Sequence, residues 1–85
     1  MKAGTIRLIS ALLRDEVERR QRRAERANDE WRQADEAAGN APGTQNDADD
    51  LQTVLELTRE RKNRAARELA QAKNALEDFE GHEWG

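Results

Sequence analysis

Only one stretch of this chain is strongly hostile to helix, and it falls near the middle. Gly39-Asn40-Ala41-Pro42-Gly43-Thr44 contains the single proline and two of the five glycines in 85 residues. Proline lacks the N–H that an interior helical turn needs, and its ring clashes with the preceding turn. Everything on either side is compatible with helix until Gly81, which marks a second stop. The spacing predicts helix one over 5–38, a turn over 39–46, helix two over 47–80 and a short tail over 81–85. Gly39 suits the left-handed position after the last turn of helix one. Asn46 or Asp47 is placed to cap helix two, with Asp49 and Asp50 complementing the positive end of its dipole. Each helix is then about 50 Å long. Two long elements of equal length joined by one turn form a hairpin, so the expected fold is all-α, a single antiparallel coiled-coil hairpin over 1–85.

The apolar residues carry the matching signal. In the second half, Leu51, Leu55, Thr58, Lys62, Ala65, Leu69, Ala72, Leu76 and Phe79 alternate steps of four and three, the spacing of a coiled-coil seam. The first half answers with Ile6, Ile9, Leu13, Val17, Arg20, Ala24, Ala27, Trp31, Ala34 and Ala38. With the turn centred near Gly43, facing residues have numbers that add to about 86. Large side chains then meet at both ends, while Arg20, Ala24 and Ala27 oppose Thr58, Lys62 and Ala65 across a thin middle. A chain this short buries little surface of its own. Self-association into a four-helix dimer is therefore expected, with a second chain or the stems of Arg20 and Lys62 closing the middle.

Composition removes several function classes. There is no cysteine, which excludes disulfides, thiolate nucleophiles and cysteine metal sites. Charged residues make up 39% of the chain, but the regular apolar placement argues against a disordered tail. Residues 1–13 are interrupted by Arg7 and followed by Arg14, Asp15 and Glu16, so neither a signal peptide nor a membrane span fits. The expected location is the cytoplasm. His82 is the sole histidine and sits in the tail beside Glu80 and Glu83. The many carboxylates lack the desolvated cleft that separates paired acids by pKa, and a two-helix hairpin offers none. Asn46 to Asp50 is acidic but has neither the glycine nor the later glutamate of a calcium loop. Trp31 reads as a core residue. No catalytic residue, cofactor or metal is expected.

The informative residues lie off the seam. At 100° per residue Leu8 and Leu12 point away from it on helix one, as does Leu57 on helix two, with Val54 nearby. They form either a docking patch or, for Leu8 and Leu12, a shelf for Trp84 and the tail to fold over. Charge is also segregated. Residues 19–26 and 59–67 hold Arg19, Arg20, Arg22, Arg23, Arg26, Arg59, Arg61, Lys62, Arg64 and Arg67 against Glu25 and Glu60, a belt of +8 within a chain of net −3. The turn end is the most acidic region. Such a belt suits an acidic protein surface, because guanidinium groups make bidentate contacts to carboxylates. It also suits a phosphate backbone, although the acidic overall charge and the absence of stacking aromatics put nucleic acid behind. A third possibility is a solvated surface, or one paired with the acidic end of a second copy. Leu8, Leu12, Arg19, Arg22, Arg23, Arg26, Leu57, Arg61 and Arg64 are the candidate partner-binding residues.

Small helical hairpins with a central turn resemble the secreted WXG-type proteins, but the Trp-x-Gly turn of that family is replaced here by Gly39-Asn40-Ala41-Pro42-Gly43. Their function is not carried over. In size and charge polarity the chain resembles accessory proteins of phages and mobile elements, including anti-CRISPR and other host-takeover inhibitors. That resemblance implies an inhibitor or adaptor that engages a host protein complex. The sequence thus points to a non-enzymatic protein-binding module with a protein partner and a homodimeric state. A self-assembling structural coiled coil and a nucleic-acid backbone binder are the alternatives.

Overall fold

The computed structural model describes residues 2–39 and 45–83, with the backbone alone for 45–48. Two helices, α1 (Ala3–Gly39) and α2 (Gln45–Gly81), account for the described chain, and they pack along each other as a rod of 65 × 14 × 13 Å. The helical hairpin is the fold.

Both helices extend slightly past the expected limits. At the start, the carbonyl of Lys2 accepts from the N–H groups of Thr5 and Ile6, each at 3.1 Å, so the first turn closes two residues early. Gly39 departs from expectation in conformation. It remains helical, and no glycine among the described residues has a positive φ. A helical glycine costs little at the end of an element, where neighbouring turns no longer constrain it on both sides. The turn itself and the capping side chains of Asn46 and Asp47 lie outside what is described. So does Trp84, and with it the tail contact considered for Leu8 and Leu12.

Every residue assigned to the two seams is buried or half-buried. The most buried are small: Ala27 and Ala34 on α1, and Thr58, Ala65 and Ala72 on α2. Alanine lets two helix backbones approach closely, and the separation between packed helices follows the side chains at the contact. Thr58 satisfies its buried hydroxyl locally, donating to the carbonyls of Val54 at 2.8 Å and Leu55 at 3.1 Å. Among the described residues no large side chain is fully buried.

The thin middle is closed within the chain. Arg20 lies along the seam, its Nε donating to Glu16 at 2.8 Å and a terminal nitrogen to the backbone carbonyl of Glu68, also at 2.8 Å. Lys62 places its ammonium 4.1 Å from the centre of the Trp31 ring, where the negative face of the indole attracts it. Both side chains are half-buried, so their apolar stems add to the seam while their charges find partners. The register is displaced from the expected one. Arg20 with Glu68, Arg23 with Glu68, Trp31 with Lys62 and Ser10 with Glu80 all join residues whose numbers add to more than 86. Ala27 and Ala65, too short to reach along the rod, line one groove and also add to more than 86, so the offset lies in the placement of the helices themselves, with the lean of long side chains adding to it.

Candidate basic groove and its flanking leucines

Coiled-coil geometry leaves a shallow groove on each side of the seam, and one of these is built from arginine. Arg23 and Arg26 of α1 and Arg61 and Arg64 of α2 stand on its walls, with Glu30 and Glu68 beside them. Ala27 and Ala65 form its floor, and the open volume is about 490 Å³. The small floor residues are what make the groove deep enough to hold four guanidinium groups on its rims.

One of those four arginines is partly neutralised and three are not. Arg23 approaches the Glu68 carboxylate at 3.5 Å. Arg26, Arg61 and Arg64 have no ion pair among the described residues, and neither has Glu30. The groove therefore keeps an excess of positive charge pointed at solvent. Guanidinium is weakly hydrated and planar, so it gains more than ammonium from a partner carboxylate or phosphate.

The belt read from the sequence is not one surface. Arg20 and Lys62 belong to the seam. Arg19 is held by Asp15 and lies 3.8 Å from Glu16. Arg22, Arg59 and Arg67 are exposed and lie outside the groove. Of the oppositely charged neighbours four residues apart, Asp15–Arg19 and Glu16–Arg20 pair, whereas Glu18–Arg22 and Glu60–Arg64 do not. An exposed pair gains only about 0.3–0.5 kcal/mol against the entropy of two long side chains, so solvent competes on even terms.

Among the described residues the exposed large apolar side chains are Leu8, Leu12, Val54 and Leu57, at 60%, 59%, 45% and 51% exposure. They continue the groove face. Leu12 precedes Arg23 by eleven residues and Leu8 precedes Arg26 by eighteen, about three and five complete turns, so each shares its arginine's side of α1. On α2, Leu57 precedes Arg64 by seven residues and Val54 precedes Arg61 by seven, again about two turns. One face of the hairpin thus carries leucines toward the open end, arginines in the middle, and Leu57 with Val54 toward the turn.

A contact at the open end escaped the sequence reading. Glu80 accepts from Arg14 Nε at 2.9 Å and from Ser10 Oγ at 3.0 Å, and pairs with the Arg14 terminal nitrogen at 2.8 Å. The hydrogen bond from Arg14, then that from Ser10, lowers the Glu80 carboxyl from its ordinary value, with desolvation opposing them and the Arg14 charge adding the least. The signal was positional: Arg14 and Glu80 each follow a seam residue, Leu13 and Phe79, where interhelical ion pairs of coiled coils form.

Among the described residues no three His, Asp or Glu side chains gather as a metal site. No described helix is long and apolar enough to cross a membrane. The buried Trp31 Nε1 has no hydrogen-bond partner. No family model, curated protein or solved structure matches the chain.

Proposed function

We propose that the hairpin is a non-enzymatic protein-binding module that recognises an acidic protein surface through the arginine groove and the leucines that flank it. One observation carries this reading: the four exposed large apolar side chains among the described residues share their helix sides with groove arginines, of which Arg26, Arg61 and Arg64 have no ion pair, and the seam uses none of them. Single exposed leucines are ordinary on any protein, but grouped ones mark contact surfaces. An inhibitor or adaptor acting in the cytoplasm on a host complex is the role in keeping with such a face, and the phage-like resemblance in size and charge polarity adds to it. Affinity capture from the native host tests the reading. The variant carrying Arg26→Glu, Arg61→Glu and Arg64→Glu should lose the captured protein while its helicity stays unchanged. Capture that survives the triple reversal would sink the proposal.

Self-association is the second reading, favoured by the surface left uncovered. The chain exposes 6744 Å², against about 5,100 Å² for a compact monomer of 9.7 kDa from the scaling of surface with mass. A four-helix dimer would cover part of that difference. Sedimentation equilibrium showing a folded monomer at micromolar concentration would remove it. Phosphate-backbone binding would draw on the same guanidinium groups, and requires affinity for nucleic acid that falls steeply with salt.

A further inference from the structure

We infer that the occupant of this face is a single partner α-helix, apolar toward both ends and acidic at its centre, laid along the hairpin to make a three-helix bundle. The inference rests on the protein-binding reading and names the partner's chemistry.

Three features of the face point to a helix. The first is length. Ala27 and Ala65 share the groove floor, so Leu57, eight residues before Ala65, stands near the level of residue 35 on α1. From Leu12 to that level is about 35 Å, the rise of a helix of about 23 residues. The second is shape. The groove between two parallel rods is straight and lined at its floor by alanine, which fits the ridge of a third helix packed at a shallow angle. Helix-in-groove recognition reads apolar anchors at successive turns, and Leu8 with Leu12 offers such a pair at one end, Val54 with Leu57 at the other. The third is charge. Arg26, Arg61 and Arg64 face the centre without ion pairs, and with Glu30 beside them and Glu68 taken by Arg23 the centre stays net positive and calls for carboxylates. Those carboxylates would be held bidentately.

The same pattern argues against a second copy on this face. Turning the face onto itself about its middle would set arginine against arginine, and like charges in contact disfavour that pairing. The apolar ends would meet in that arrangement, but only with the arginines of both copies crowded together between them.

The test uses the full chain and designed peptides of about 24 residues. The probe carries leucine on one face in its first and last two turns and glutamate on that face between them. One control replaces the glutamates by lysine, and another replaces the leucines by alanine. A duplex DNA of about 20 base pairs is the fourth ligand. Fluorescence anisotropy should show the leucine–glutamate–leucine probe binding at least tenfold tighter than either control, with circular dichroism reporting its helix gained on binding. Arg26→Glu with Arg64→Glu, and separately Leu12→Ser with Leu57→Ser, should each weaken the probe at least tenfold, whereas Arg67→Glu should leave it unchanged. If the alanine control binds as well as the probe, the helix inference fails while acidic-surface recognition stands. If the lysine control or the duplex binds best, or if no peptide binds and Leu12→Ser with Leu57→Ser instead dissociates a dimer, both the inference and the protein-binding reading fail.

Discussion

The seam and the groove face run side by side along the same rod, yet they treat charge in opposite ways. In the seam every charged group is answered. Arg20 reaches Glu16 and the Glu68 carbonyl, and Lys62 sits over Trp31. On the groove face, Arg26, Arg61 and Arg64 point outward unpaired between two exposed apolar patches. A surface shaped by folding alone tends to satisfy its own groups, because an unpaired buried charge is costly. A surface kept for something else can leave them in water at little cost. The contrast locates stability in one stripe and interaction in the other.

The strongest way to break this contrast is to put an unanswered charge in the seam. Ala65→Asp places a carboxylate at one of the most buried positions, and the cost of several kcal/mol should abolish the cooperative melt followed by circular dichroism. Arg20→Ala tests whether the seam's polar closure matters. It removes two hydrogen bonds from a half-buried guanidinium, so a loss of about 1 kcal/mol is expected in urea unfolding. No change in midpoint would show that the alanines hold the middle alone.

The clamp at the open end should respond to pH. Arg14 and Ser10 lower the Glu80 pKa in the folded chain, so the clamp's contribution is fully present above the ordinary carboxylate value. It is lost as pH falls through the lowered one. Amide protection near residues 6–14 and 76–80, taken relative to the intrinsic exchange rate at each pH, should therefore fall on acidification more in the parent than in Glu80→Gln. An equal fall in both would assign the fraying to other carboxylates. The smallest effect is expected on the groove face itself. Leu12→Ser with Leu57→Ser should shift stability by no more than about 0.5 kcal/mol in the same urea titration, and a larger loss would mean that these leucines serve the hairpin after all.

Much of the fold was legible in the sequence, because the two determining signals are local. A proline within a glycine-bearing cluster interrupts helix wherever it stands, and a four–three apolar repeat defines a stripe on any helix that forms. The seam residues from Ile6 to Ala38 and from Leu51 to Phe79 followed from spacing alone. The exposure of Leu8, Leu12 and Leu57 followed from the same wheel. Gly39 was misread because its permissive backbone is compatible with a left-handed cap and equally with one more helical residue.

The interhelical contacts required the tertiary structure. Which arginines share a groove depends on the axial register and relative rotation of α1 and α2, and these are set by packing of alanines whose sequence positions carry little size information. The belt of ten basic residues therefore divided into seam, groove and outer surface only when the helices were placed together. The sequence by itself determined two helices, one turn and the stripe that joins them, since backbone propensity and side-chain period act within a single element. The tertiary structure alone decided that Arg23, Arg26, Arg61 and Arg64 surround one floor, and that Glu80 closes on Arg14, because contacts between residues far apart in the chain exist only once both elements are fixed in space.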